Sequence, residues 1–127
     1  MNIMIATDGK SISTHAVREA IRLLPLSSSN VFVVSVMDPE QRIGGNENAA
    51  QDVEEALAML TAAGVTAEGI VLRGTPSAEI VRTATEKDAD IIVVGAGQRG
   101  AVARFLLGRT AQNLIETWHK SVFIVRA

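Results

Sequence analysis

The chain has 127 residues, of which 47% are hydrophobic and 20% charged. That describes one globular domain, with too little length for a second and too much apolar content for a disordered chain. It holds no cysteine, so disulfide scaffolds, Cys-ligated zinc, iron–sulfur clusters and thiol catalysis are excluded. Two histidines, His15 and His119, are too few for a His-rich metal centre. Twelve basic against fourteen acidic residues give a net charge of -2, which argues against a dedicated nucleic-acid binder. No segment approaches the roughly 18 apolar residues of a membrane span. The first residues lack the basic start and long apolar run of a secretory signal. A soluble, cytoplasmic protein is the expected class.

In chain order, Ile3-Met4-Ile5-Ala6 is a short apolar run that ends at Asp8-Gly9. Val17, Ala20, Ile21 and Leu24 then repeat at helical spacing, with His15, Arg18, Glu19 and Arg22 on the other face and Pro25 as a stop. Val31 to Val36 is a second strand, and Asp38-Pro39 through Gly44-Gly45 reads as a loop. Val53, Ala56, Leu57 and Leu60 predict a second helix, with Gly64 as its C′ residue. Ile70-Val71-Leu72 is a third, weaker strand. Thr75-Pro76 supplies an N-cap with proline at the first helical position, and Ser77, Ile80, Val81 and Ala84 form the inward face that follows. Ile91 to Val94 is the clearest strand. A glycine-rich stretch from Gly95 to Gly108 leads to a stripe of Ala111, Leu114, Ile115 and Trp118, and Val122 to Val125 is a fifth strand.

The strands are continuous apolar runs, the mark of strands covered on both faces. Their alternation with helices implies parallel pairing through right-handed crossovers. The expected architecture is a single α/β domain over residues 1–127, with five mostly parallel strands between helices. There is no internal repeat, low-complexity tract or linker.

In open α/β sheets ligands bind at the carboxyl ends of the strands, where strand order reverses. Two loops stand out there: Thr7-Asp8-Gly9-Lys10 and Gly95-Ala96-Gly97-Gln98-Arg99-Gly100. From Ile91 to Ile115 there is no acidic residue, while Arg99, Arg104 and Arg109 occur beside four glycines. Such a stretch suits an anion, because glycine lets backbone N–H groups approach a phosphate and arginine offers bidentate charged donors. The alternative is that these arginines pair with acids elsewhere and the glycines only turn the chain. Gly95-x-Gly97-x-x-Gly100 also matches the dinucleotide fingerprint. It follows the fourth strand, however, and lacks the acid expected at the end of the next one, so a nicotinamide enzyme is disfavoured.

Six segments in order resemble the universal stress protein family, within the adenine-nucleotide α-hydrolase-like superfamily: Ile3 to Gly9, Val31 to Asp38, Arg73-Gly74-Thr75-Pro76 with Glu79-Ile80, Ala89 to Gly95, Phe105 to Gly108, and Val122 to Val125. The resemblance covers essentially the whole chain. It implies a Rossmann-like open parallel sheet of order 3-2-1-4-5, with the switch point between strands one and four. It also implies an adenine-nucleotide-binding module with a stress-response or regulatory role, taking ATP or AMP, with Mg²⁺ if ATP. Carried over by position, Asp8 contacts the adenosine, Val36 lines the adenine pocket through its backbone, and Gly95 and Gly108 flank ribose and phosphates. The candidate contacts are Ala6, Thr7, Asp8, Val36, Val94, Gly95, Gly97, Gln98, Arg99, Gly108, Arg109 and Thr110; no catalytic or metal-ligating residue is nominated.

The sequence departs from the family pattern Gly-x2-Gly-x9-Gly-(Ser/Thr). Gly95 and Gly108 fit, but the second glycine falls on Gln98 and the hydroxyl on Arg109, with Thr110 one residue later. Gln98 adds a Cβ where close approach is wanted, and Arg109 exchanges a hydroxyl for a charge. The departures imply altered phosphate contacts and a shorter phosphate chain. The other outcomes are a dimeric interaction protein without nucleotide or, with no evident general base and no Walker lysine, a slow ATPase or phosphotransferase.

Several residues have plain structural readings. Asp8 can serve as a turn former or helix cap, His15 as a solvated residue, and His119 as a last-turn cation suited to the helix dipole. Trp118 reads as core, Met37 as a gap filler and Lys10 as an exposed lysine. Val122-Phe123-Ile124-Val125 would leave a bare apolar sheet edge, weakly guarded by Lys120 and Arg126, so a homodimer joined through this strand is expected, as the resemblance also implies.

Overall fold

Each apolar run becomes a strand and each 3.6-period stripe a helix in the computed structural model, which describes residues 1–39, 48–96 and 108–126. In chain order these are β1 (Asn2–Ala6), α1 (Ser11–Leu23), a short 3-10 turn (Leu26–Ser28), β2 (Asn30–Met37), α2 (Ala49–Ala62), β3 (Ala67–Arg73), α3 (Pro76–Glu86), β4 (Ile91–Ala96), α4 (Arg109–Thr117) and β5 (Ser121–Arg126). The strands form one sheet of order β3-β2-β1-β4-β5, and each neighbouring pair is parallel. The expected fold class and strand order are both present.

Side chains alternate across the sheet and divide the core in two. Ile3, Ile5, Val31, Val33 and Val93 pack with Val17 and Ala20 of α1 and Val53, Ala56 and Leu60 of α2. Met4, Val34, Val36, Ile92 and Val94 pack with Ile80 and Ala84 of α3 and Leu114 of α4. β1 is buried on both faces because it is the central strand. Gly64, with φ 79°, follows the last residue of α2 as expected of a C′ glycine.

Four expectations change. β3 is longer than Ile70–Leu72 and more open: it is an edge strand, and Val71 is 48% exposed. Ile115 is 45% exposed rather than inward, because the face of α4 that meets the sheet is centred on Ala111 and Leu114 and one further position turns away. Trp118 is buried as expected, with its indole N–H donating to the Ser121 carbonyl at 3.1 Å, but it caps α4. His119 therefore lies beyond the helix, not in its last turn. Thr75 is the N-cap of α3 with Pro76 following, yet its hydroxyl makes no capping bond.

The first turn of α1 is pressed onto β4. A Cβ on Gly95 would stand 2.8 Å from the Ile12 carbonyl oxygen, and backbone cannot retreat as a flexible side chain can. Gly95 is thus a packing requirement whatever else it does. Gly95→Ala should destabilise the fold by about 1–3 kcal/mol, the usual range for overpacking. Urea denaturation measures this, and an unchanged midpoint would show that α1 does not sit this close.

Candidate functional site

The sheet register builds a notch. β1 pairs with β2 as far as Ala6 opposite Val34, and the Thr7 N–H adds one bond to the Val34 carbonyl at 2.9 Å. β2 continues through Ser35, Val36 and Met37, paired only with β3. On the other side β1 meets β4 as far as Val93, while Val94, Gly95 and Ala96 run on, paired with β5. Residues two apart on a strand present their backbone groups to the same neighbour. The Val34 carbonyl faces β1, so the backbone of Val36 faces the same way, beyond the end of β1. The switch-point crevice is this gap, with Ala6, Thr7 and Asp8 at its floor and the ends of β2 and β4 as its walls.

The floor is a rigid turn built by short polar side chains. Thr7 Oγ1 accepts the Gly9 N–H at 3.2 Å. Asp8 Oδ1 accepts the Lys10 N–H at 3.0 Å and the Ser13 hydroxyl at 2.7 Å, and Ser13 Oγ in turn accepts the Asp8 N–H at 3.3 Å. This is the Asx turn expected of aspartate before glycine. Both bonds fall on Oδ1, and Asp8 is exposed, so its carboxylate keeps acceptor capacity beyond the turn. Lys10 is exposed, as expected, and is the N-cap of α1, which has no side-chain cap and no acid in its first turn.

α4 opens the same way. Gly108 is its N-cap with φ 82°, no acid lies in the first turn and no side chain caps it. Arg109 follows at the first helical position. A cation there opposes the helix dipole, and Arg109 is exposed. Among the described residues no acid pairs with Arg109. Thr110, half-buried, follows it. Gly97, Gln98, Arg99, Gly100 and Arg104 lie outside the described residues, as does most of the loop after β2.

Carboxylates held below their usual range lie elsewhere: a hydrogen bond from Arg22 holds Glu19 down, and one from Arg82 holds Glu79 down. Both pairs sit on outer helix faces. His15 is half-exposed, 4.0 Å from Glu19. Among the described residues no group of three or more His, Asp or Glu side chains could hold a metal ion.

Ser13 and Asp52 were not singled out by sequence reasoning. Asp52, in the first turn of α2, is only 9% exposed and lies against Gly9. A small cleft of about 100 Å³ opens beside it between α1 and α2, with Thr7, Gly9 and Thr14 on one wall and Asp52, Glu55 and Met59 on the other. A signal existed for Asp52: with Ala49, Val53, Ala56 and Leu60 it falls on the inward stripe of α2, an acid at a core position.

Comparison with known proteins places this architecture. The model of the universal stress protein family matches residues 1–126. The chain belongs to the universal stress protein family. Universal stress protein MJ0531 of Methanocaldococcus jannaschii is 31% identical in an alignment 137 positions long, gaps included, that covers 98% of this chain and 81% of that one. A universal stress protein solved in complex with cAMP superposes with a TM-score of 0.79 at 27% identity, covering 98% of this chain and 96% of the other. The universal stress protein of Archaeoglobus fulgidus in complex with dAMP gives 0.75 at 26% identity, covering 98% and 96%. The described helices of this universal stress protein include none long and apolar enough to cross a membrane.

Removing the Ser13 hydroxyl should test how the turn is held. Ser13→Ala takes one bond from the Asp8 carboxylate and one acceptor from its amide, and should lower stability by about 1 kcal/mol. Thermal or urea unfolding reads the change, and a wild-type midpoint would mean that the pair contributes nothing.

Proposed function

We propose that this universal stress protein is a cytoplasmic adenine-nucleotide-binding regulatory module, and that its ligand lies in the notch above β1. The observation that carries the reading is the register itself, which leaves the Val36 backbone facing a gap whose floor carries the exposed Asp8. The nucleoside fits that side. Asp8 Oδ2 accepts from a ribose hydroxyl or amino group, and Val36 supplies backbone donor and acceptor to the base edge. Phosphate fits the side of α4, where Gly108, Arg109 and Thr110 offer helix N–H groups, a guanidinium and a hydroxyl, with no acid paired to Arg109 among the described residues. Ala6, Thr7, Val94 and Gly95 shape the walls, and Gly97, Gln98 and Arg99 belong to the intervening loop. Two relatives above 25% identity were solved with cAMP and with dAMP, each an adenine nucleotide with one phosphorus. That agrees with the shorter phosphate chain suggested by Arg109 in place of a small hydroxyl residue. If ATP binds, its Mg²⁺ is held through the phosphates.

Calorimetric titration with AMP, cAMP and ATP tests the reading. Saturable heat below millimolar ligand is expected, with AMP or cAMP at least as tight as ATP; no heat at millimolar concentration from any of them ends the nucleotide assignment. Asp8→Ala should weaken AMP binding by roughly tenfold or more, the loss of a hydrogen bond to a charged acceptor. Arg109→Gln should weaken AMP and flatten its salt dependence, while leaving adenosine unaffected. Retained AMP affinity in both variants would move the site elsewhere.

The protein also acts as a homodimer through β5. This strand is an edge, hydrogen-bonded only to β4. Phe123 on one face and Val122 and Ile124 on the other are only half-covered, so both halves of the core are open there. The opposite edge, β3, instead presents Glu68 and Arg73 as exposed residues. A second copy of β5 would cover the apolar side chains and pair the bare backbone. Sedimentation velocity at micromolar protein should show a dimer, and Ile124→Lys should shift it to monomer; a wild-type monomer would refute the interface.

A further inference from the structure

We infer that Asp52 is a positioning residue for the Asp8 turn, so that α2 sets the geometry of the nucleotide-contacting loop. The inference rests on the nucleotide reading of Asp8, but its first readout does not.

Asp52 lies on the inward face of α2, nine-tenths buried and in direct contact with the turn. Gly9 has φ 76°, and a Cβ at that position would fall within 2.6 Å of Asp52 Cγ and closer still to Oδ1; its three nearest heavy atoms all belong to Asp52. The turn therefore rests directly on this carboxylate at Gly9. Thr7 and Ser13 tie the turn from within through Gly9 N–H and Asp8 Oδ1, but neither side chain stands behind Gly9. The adjoining cleft of about 100 Å³ leaves space into which an unsupported turn could sink.

A shift of Gly9 would be felt two atoms along the chain. Lys10 N–H and Ser13 Oγ hold Asp8 Oδ1, and that grip fixes where Oδ2 points. The contact on Gly9 is the route by which Asp52 acts on the loop, through the turn. Because α2 packs on β2 and β3, the buttress also links the loop to the half of the sheet that carries Val36.

The test is amide hydrogen exchange with and without AMP. In wild type the Gly9 and Lys10 amides, bonded to Thr7 Oγ1 and Asp8 Oδ1, should exchange slowly. Asp52→Ala should accelerate both by about tenfold or more while the β1 amides of Met4 and Ile5 stay as in wild type, and AMP affinity should fall by a comparable factor. Asp52→Asn, which keeps the shape, should restore slow exchange. Asp52→Ser replaces alanine if that variant does not fold. Unchanged turn amides in Asp52→Ala overturn the proposal, as does acceleration shared by β1, which would mean a general loss of stability. Asparagine as disruptive as alanine also overturns it, because the support would not be shape. If the turn loosens and AMP affinity holds, Asp52 does not position the site. Should wild type bind no nucleotide while the turn amides respond as expected, the buttress stands and the nucleotide reading alone falls.

Discussion

The central strand is shorter than its neighbours. β1 stops pairing at Ala6 on one side and Ile5 on the other, while β2 and β4 each continue for three residues. In a parallel sheet those extra residues keep their outer partners in β3 and β5 but have nothing between them. The crevice is therefore a consequence of register rather than of any single side chain. It lies where the winding of the sheet reverses, the switch point of an open parallel sheet. α1 descends on one face, and α3 and α4 pack on the other. The Asp8 turn joins β1 directly to α1 on the first of these faces.

Much of this was legible. Strand and helix positions follow from the two hydrophobic periods, and parallel pairing follows from strands that are apolar on both sides. Strand order did not come from periodicity; it came with the family resemblance, whose motifs cover the chain. The acid-free stretch from Ile91 to Ile115 also led to α4, where Arg109 opposes the dipole and has no acidic partner among the described residues. Edge strands were less readable. Glu68 and Gly69 interrupt the apolar pattern of β3, because a strand with one neighbour needs less apolar surface. Ile115 was misassigned because a stripe on a short helix tolerates one extra apolar position without burying it.

The residues that set the turn were hidden for a different reason. Ser13 and Thr7 are common, small and polar, and only a five-residue return of the chain brings the Ser13 hydroxyl to Asp8. Asp52 is separated from Gly9 by 43 positions, and neither residue alone indicates the other. An acid on the inward stripe of a helix was the available clue. Amphipathic patterning usually treats such a residue as noise on the polar side, yet the interval Ala49, Asp52, Val53, Ala56, Leu60 places it squarely inside.

Gly95 shows why a glycine-rich signature needs geometry before chemistry. Its position at the end of β4 invites a phosphate, and the resemblance gives it that role. The structure first assigns it a mechanical one: the Ile12 carbonyl stands where a Cβ would be. The two roles are not rivals. Bringing the first turn of α1 this close to β4 draws the Asp8 turn, which immediately precedes that helix, toward the wall formed by Val94 to Ala96. A larger residue at 95 would push α1 outward and widen the crevice from behind, altering the spacing between the nucleoside side and the phosphate side without touching either. Gly9 is the counterpart at the other end of the same connection, where the turn backs onto α2. The β1–α1 segment is thus held at two points, Gly9 and Ile12, by contacts that glycine permits, and Asp8 immediately precedes the first of them.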